Sequence, residues 1–378
     1  MGAAPYRSWA EVSRGQIAEN FRRVRGAVGP GVEIVAVVKA DAYGHGAVEV
    51  SRVLEAEGAR WLAVSFVEEG VTLREAGINA RILVMADCPT FAQSALVEYN
   101  LTPVVQSLDN LRELDRSLGG DAGRLRYHLK IDTGMGRLGT RAGAAEIAQA
   151  VGQAACLELE GLMTHFASSA DYSNARTDRQ VRSFHQLCAG LREAGIAPPY
   201  LHMSSSNPVA YGRREAWHNM VRPGHALYGY VSPARGDAAP QRVLDVAPAL
   251  TWKARVVTVK EVPEGALIGY GGMFRAPHPM RIAILALGYS DGLSHRLSNR
   301  GHVIAGGRLA PILGAVSMDL TTIDVTESRS VRVGDAVTLL GADGGVSINA
   351  QEMARTAGTI SYDILCGIRA RVKRVYVE

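Results

Sequence analysis

Between positions 33 and 222, short apolar runs alternate with longer amphipathic stretches, and no other feature of the chain limits its fold as strongly. Eight runs have the length of strands: 34–38, 61–65, 82–85, 102–105, 125–131, 157–163, 200–203 and 219–222. Apolar runs such as 34–38 and 82–85 suit parallel strands buried on both faces. Helical pattern between them is clearest at 47–57, where Val50, Val53 and Leu54 share one face, and at 181–194, which ends before Gly195. Eight such units predict a closed (β/α)8 barrel of the TIM type, α/β in class, with the C-terminal strand ends gathered at one face. Lys39, Lys130, His165, His202 and Arg222 each lie at or near such an end, so the barrel would collect them in one pocket.

Beyond position 240 the texture changes. Alternating or β-branched runs at 252–262, 281–287, 321–325 and 336–340, punctuated by Gly, Pro and Asp, predict a mainly β C-terminal domain. The expected organisation is a barrel over 1–240, with an N-terminal extension, and a β domain over 241–378; the Ser-Pro-Ala-Arg-Gly-Asp-Ala-Ala-Pro stretch ending at Pro240 reads as the crossover. A length of 378 residues, 47% of them apolar, provides core material for both. The net charge of +4 is spread without a basic block, which argues against a nucleic-acid surface. Cys88, Cys156, Cys188 and Cys366 are widely separated, so neither a zinc site nor a redox dithiol is expected, and they read as buried thiols. The first residues lack a signal core, Tyr6 stands where a myristoylation motif needs Ser or Thr, and no run is long enough to span a membrane. The expected location is cytoplasmic.

Lys39 follows the apolar run Val35-Ala36-Val37-Val38 and opens Lys-Ala-Asp-Ala-Tyr-Gly-His-Gly, where strand chemistry gives way to loop chemistry. A strand-end lysine ordinarily snorkels into water. Beside apolar packing, however, desolvation favours a neutral amine able to attack a carbonyl, the group that Schiff-base chemistry requires. The whole segment Val-Val-Lys-Ala-Asp-Ala-Tyr-Gly-His-Gly resembles the cofactor-lysine motif of the alanine racemases, pyridoxal 5'-phosphate enzymes of fold-type III.

Further segments carry the same resemblance, in family order, to Ser361-Tyr362-Asp363-Ile364-Leu365. Gly134-Met135-Gly136-Arg137-Leu138-Gly139 formally matches a dinucleotide-binding pattern, but it follows the fifth strand rather than opening a Rossmann unit. From Lys130 onward it instead resembles a racemase signature. The resemblance implies that Arg137 approaches the substrate carboxylate and that Lys130, a candidate for carbamylation, supports it. Val221-Arg222-Pro223-Gly224-His225 resembles the stretch whose arginine hydrogen-bonds the cofactor pyridine nitrogen. Arg222 takes that position, and His165 would pair with it. Because arginine does not readily give up its proton, the ring would remain a weak electron sink, favouring reprotonation over side chemistry. Phosphate would be held by Tyr43, Ser206, Gly224, the His225 backbone and Tyr362.

In the β domain, Ile268-Gly269-Tyr270-Gly271-Gly272 resembles the turn presenting the family's second catalytic group, Tyr270, and Ala315-Val316-Ser317-Met318-Asp319 its carboxylate loop, with the Met318 N–H as donor. Tyr289 fits an entrance position. The implied reaction interconverts L- and D-alanine, supplying D-alanine for peptidoglycan. Lys39 and Tyr270 would act as bases on opposite faces of Cα, in a homodimer whose subunits share sites. The partner is thus a small amino acid, with no metal, nucleic acid or membrane. Ser204-Ser205-Ser206-Asn207, His225 and Ser317 depart from the common family pattern, which keeps a broader amino-acid racemase among the alternatives. A decarboxylase of the same architecture is a second, and a non-catalytic pyridoxal-phosphate protein a third. The Tyr270 and Ser317-Met318-Asp319 motifs speak against the decarboxylase.

Overall fold

The computed structural model describes residues 6–86, 88–119 and 124–378; residues 1–5, to which part of the signal and lipidation reading applied, lie outside them. The chain forms two compact units. One contains Ile17–Ala42 and Ala47–Ala247; the other contains the N-terminal strand, Tyr43–Gly46 and Pro248–Glu378.

The N-terminal strand is β1 (Ser8–Ser13), followed by helix α1 (Arg14–Val28). Eight parallel strands build the first unit: β2 (Glu33–Val37), β3 (Trp61–Val64), β4 (Arg81–Val84), β5 (Leu101–Val105), β6 (Leu125–Lys130), β7 (Leu157–Met163), β8 (Tyr200–His202) and β9 (Met220–Val221). Each coincides with an expected strand to within a residue at either end. The sheet runs β8-β7-β6-β5-β4-β3-β2-β9. Its seam is sewn without a ladder: Arg222 N–H donates to Ser204 O at 2.8 Å, and Leu201 N–H donates to the Asn219 carboxamide at 2.8 Å. The sheet is therefore a barrel whose last closure depends on single bonds.

The Lys39–Gly44 turn (α2) is left-handed, with φ between 52° and 54° at Ala40, Asp41, Ala42 and Tyr43. Such a conformation costs L-residues roughly 1–2 kcal/mol each, so its neighbours must impose it. In the second unit, a Cβ at Gly44 would collide with Leu365 O and one at Gly46 with the Tyr376 hydroxyl. The helices are α3 (Ala47–Ala56), α4 (Val67–Glu75), α5 (Gln93–Glu98), α6 (Leu108–Leu118), α7 (Ala144–Gln153), α8 (Arg176–Glu193) and the short α9 (Ser206–Ala210). α6 buries Leu111 and Leu114 and is capped by Ser107, whose hydroxyl accepts from Asn110 N–H at 3.0 Å, worth about 1 kcal/mol. α8 starts five residues before the expected 181 because two polar side chains of its first turns are buried through hydrogen bonds: Thr177 Oγ1 donates to Ser168 O, and Gln180 Nε2 to His165 O. The crossover carries neither helix nor strand, and buried Asn20 ties together the segments before and after it by donating to Leu227 O and Ala247 O.

The second unit is a mainly antiparallel sheet of β1 with β10 (Leu250–Val262), β13 (Met280–Leu285), β14 (His302–Ala305), β15 (Arg308–Leu313), β16 (Thr321–Asp324), β17 (Ala336–Asp343), β18 (Val346–Ile348) and β19 (Lys373–Val377). A separate ribbon pairs β11 (Leu267–Ile268) with β12 (Phe274–Arg275). β10 bonds to both β13 and β17, so β10-β13-β16-β15-β14-β17 closes into a ring that removes most free edges. β1 adds beside β10, parallel to β19. Helices α10 (Ala350–Ala357) and α11 (Ser361–Gly367) complete the unit; Asn349 caps α10 by accepting from the Gln351 and Glu352 N–H groups. Among the cysteines only Cys188 is fully buried, which corrects the expectation for Cys366: it is exposed, on the outer side of α11. Among the described residues no helix is long and apolar enough to cross a membrane.

Candidate active site

The C-terminal ends of the barrel strands bring Lys39, Lys130, His165 and Arg222 together with Arg137 from the loop after β6. Lys130 is buried, and its ammonium is pushed down to about 8, first by burial and then by Arg222, Arg137 and Lys39, with Asp132 opposing. The same cations, acting after burial, hold His165 neutral at about 3. No hydrogen bond to Lys130 Nζ or to the Arg137 side chain forms among the described residues. Cations outnumber the one opposing carboxylate, Asp132, around Lys130, which suits an anionic ligand.

Arg222 is 3% exposed and almost entirely committed to the protein. One terminal nitrogen donates to His202 O at 3.0 Å and to His202 Nδ1 at 2.8 Å; the other donates to Thr164 O at 2.7 Å and Met203 O at 3.1 Å, with His165 Nδ1 at 3.4 Å. Burial pulls the guanidinium down to about 9, still cationic at neutral pH. No acceptor faces its Nε–H among the described residues. Sequence reasoning paired Arg222 with His165; the closer ring is His202, and the carbonyls that cage the guanidinium belong to Thr164, His202 and Met203.

Arg137 sits on a loop made rigid by Asp132, whose Oδ1 accepts from the Gly134 and Gly136 N–H groups at 3.0 and 2.9 Å. The loop returns as Thr140 N–H reaches Lys130 O, and at Gly139, where φ is +112°, a Cβ would come within 2.8 Å of Asp132 N. The glycine pattern thus serves a tight return beside β6, while α7 begins only at Ala144. Ser206, opening α9, accepts from the Gly224 and Ala226 N–H groups, both at 3.1 Å, leaving its own hydroxyl hydrogen to be donated. His225 is buried and stacks on Tyr230 at 5.2 Å.

In the second unit, Tyr43 and Tyr362 lie 5.9 Å apart between ring centroids, and burial pushes the Tyr43 phenol up, keeping it a hydrogen donor. Tyr270 lies in the turn Tyr270–Gly272 and is 77% exposed. In the 317–319 loop, Met318 O accepts from Ser290 N–H at 3.0 Å and from Ser290 Oγ at 2.6 Å, which fixes the Met318 peptide while its N–H meets no acceptor among the described residues. The Ser317 hydroxyl is engaged within the loop, donating to Leu320 O at 2.7 Å. Tyr289 is 41% exposed.

A parallel barrel with a lysine just beyond its first strand and buried cations at its strand ends, together with a mainly β unit, is the architecture of a two-domain barrel protein with an anion-binding pocket. Residues 12–233 match the model of the alanine racemase N-terminal domain, and residues 249–376 that of the alanine racemase C-terminal domain. An alanine racemase of Halothermothrix orenii is 41% identical over 370 residues, covering 98% of this chain and 96% of that protein. The crystal structure of an alanine racemase from Bacillus anthracis with bound L-Ala-P superposes with a TM-score of 0.91 at 34% identity, covering 99% of this chain and 96% of that one. An alanine racemase from Bartonella henselae with covalently bound pyridoxal phosphate gives 0.87 at 25% identity, over 99% and 100%. The chain belongs to the alanine racemase family.

Proposed function

We propose that this chain interconverts L- and D-alanine with pyridoxal 5'-phosphate held at the barrel strand ends. The observation that carries the proposal is the gathering of the cationic side chains Lys39, Lys130, Arg137 and Arg222 around a neutral His165. The barrel donors fit the cofactor: a lysine amine for its aldehyde, the Arg222 Nε–H for the pyridine nitrogen, and the Ser206 hydroxyl with the backbone at Gly224–His225 for its phosphate. When bound, the cofactor supplies an electron sink that acidifies the amino-acid Cα–H.

The chain's own groups then govern the outcome. Arg222 keeps its proton, so a pyridine nitrogen accepting from it would stay unprotonated, which would favour return of a proton to Cα over side chemistry. Lys39 Nζ handles the proton on one face and Tyr270 Oη on the other, and an exchange of their roles serves the reverse direction. Arg137 and the Met318 N–H hold the substrate carboxylate. A phenol has an ordinary pKa near ~10, so Tyr270 needs cationic or hydrogen-bonding company in the assembled site to act as a base. We place that company in a homodimer, with Tyr270 and Met318 facing the barrel pocket of a second copy of the chain; their exposures of 77% and 54% support this.

Chiral analysis with alanine, serine, lysine and ornithine in deuterated water tests the function. Alanine should racemise fastest, gaining deuterium at Cα without loss of carbon dioxide; carbon dioxide release, or equal rates for all four, would replace the reading. Mixing Lys39→Ala and Tyr270→Phe subunits should restore activity through one intact hybrid site. No restoration in verified heterodimers would remove the shared site.

A further inference from the structure

Beneath the pocket, the barrel interior holds a chain of polar side chains that the proposed reaction does not use. His128 and Lys130 lie two residues apart on β6, so they share a face, and His128 lies one layer deeper, about 7 Å down the strand. Its Nδ1 is 2.8 Å from His202 Nε2, and both rings are fully buried. Its Nε2 points toward Glu160 Oε2 at 3.6 Å. Glu160 is clasped by the Arg81 guanidinium through paired bonds of 2.7 and 2.6 Å, and Arg126 stands 4.0 Å away.

The backbone is shaped for this chain. The β6–β7 register shifts at Tyr127/His128, so Tyr127 pairs with Leu159 and His128 with Gly161, leaving Glu160 as the extra residue. Such a bulge re-aims a side chain. A Cβ at Gly161 would sit 2.5 Å from His128 Nδ1, so the ring occupies the space that glycine leaves. Trp61 and Tyr200 wall the ring at centroid distances of 5.6 and 6.0 Å.

Hydrogen-bond polarity orders the chain from both ends. A guanidinium has no acceptor, so His202 Nδ1 must accept from Arg222 and the proton of that ring must lie on Nε2. His202 then donates to His128 Nδ1, which places the His128 proton on Nε2, toward the Glu160 carboxylate. At 3.6 Å the Glu160 carboxylate makes no hydrogen bond to that Nε2–H, but its negative charge favours the same two tautomers. Burial raises the Glu160 carboxyl, but the His128 ring and Arg81 outweigh it and bring it to about 2, so the anion is present.

We propose that His128, held by Glu160, is a positioning residue for Arg222: it locks His202 as the Nε2–H tautomer, so that Nδ1 remains a fixed acceptor for the guanidinium. The catalytic consequence rests on the assignment of Arg222 to the cofactor ring made above; the tautomers do not.

The test combines nitrogen-15 NMR of histidine-labelled, pyridoxal-phosphate-loaded protein with kinetics of two variants. In the wild type, both His202 and His128 should show the Nε2–H pattern. His128→Asn retains an acceptor near the Nδ1 position and should preserve the His202 tautomer. His128→Leu, which fills the space without an acceptor, should mix it and lower kcat about tenfold with KM changed less than about twofold. A packing role predicts the opposite order, with Leu better tolerated than Asn and kcat following the melting temperature; that result overturns the proposal, as does a wild-type His202 protonated on Nδ1. If His128→Leu does not fold, Glu160→Gln should release His128 to a mixture of tautomers, and an unchanged His128 pattern counts against the lock. A wild type that shows both tautomers but neither binds pyridoxal phosphate nor racemises alanine would refute the functional reading while leaving the lock in place.

Discussion

Replacing Lys130 by methionine should stabilise the protein while impairing its activity. The ammonium of Lys130 is 5% exposed, and its pKa falls from 10.5 to about 8 because burial and three neighbouring cations oppose its charge. At about 1.4 kcal/mol per pKa unit, the charged form costs the fold about 3 kcal/mol at pH 7. The sign follows from proton counts. Between pH 8 and 10.5 the unfolded chain holds a proton that the folded chain has released, so this site makes stability rise with pH. Below pH 8 both states hold it and the penalty is complete; above 10.5 neither does and the penalty vanishes. Lys130→Met should therefore gain about 2–3 kcal/mol in urea unfolding at pH 7, falling to roughly half by pH 9.5, in carbon-dioxide-free buffer with protein and cofactor concentrations matched. Racemisation should fall because Arg137 loses its neighbour. If the lysine is carbamylated, bicarbonate should raise wild-type stability and add the mass of one carbon dioxide, with no response in the variant. Equal or lower stability of Lys130→Met at pH 7, or a gain unchanged at pH 9.5, would refute the electrostatic reasoning.

Tyr270→Phe should separate function from stability: at 77% exposure, loss of its hydroxyl should alter urea unfolding by no more than about 0.5 kcal/mol, while alanine racemisation falls at least about a hundredfold. Ala40→Gly tests the left-handed turn, where an exposed residue has a φ of 52°; relief of strain, partly offset by the looser unfolded chain, should add up to about 1 kcal/mol, whereas Ala40→Val should lower the melting temperature. Arg222→Met would strip donors from the Thr164, His202 and Met203 carbonyls and should cost about 2–4 kcal/mol by chemical unfolding. Gly161→Ala should cost about 1–3 kcal/mol and broaden the His128 ring signals, because its Cβ lands on that ring.

The barrel was legible because its signal is local. Strands β2 to β5 are mostly apolar through their own length and announce themselves without knowledge of their partners, whereas β6 and β7, which carry Arg126, His128, Lys130, Glu158 and Glu160, are placed by the regular spacing of the units. The β unit yielded β10, β13, β16 and β17. β18 has only three residues, β15 carries Pro311 in its middle, and β1 is broken by Ser8, Glu11 and Ser13. β1 reads as a leader to the barrel until its partners appear, yet these are Leu250–Ala254 and Lys373–Val377, more than two hundred residues away. The left-handed turn gave no sign at all: Ala40, Asp41 and Ala42 are ordinary helix formers or cap residues, and their conformation is set by what surrounds them rather than by their own preference.

The site divides along the same line. Residues proposed to meet the ligand stood out because motifs keep them in fixed contexts, whereas Arg81, His128 and Glu160 belong to no motif. In Leu157-Glu158-Leu159-Glu160 the alternation assigns both glutamates to one face, and two acids on one strand face read as solvent-exposed. The register shift breaks that symmetry, leaving Glu158 exposed and Glu160 buried. A buried carboxylate is tolerable only with its charge and lone pairs satisfied, and Arg81 supplies this from 79 positions earlier in the chain. The functional content of Glu160 thus lies in a one-residue bulge and a remote arginine, neither of which has a local sequence signature, and it emerges only when donors and acceptors are followed inward from Arg222.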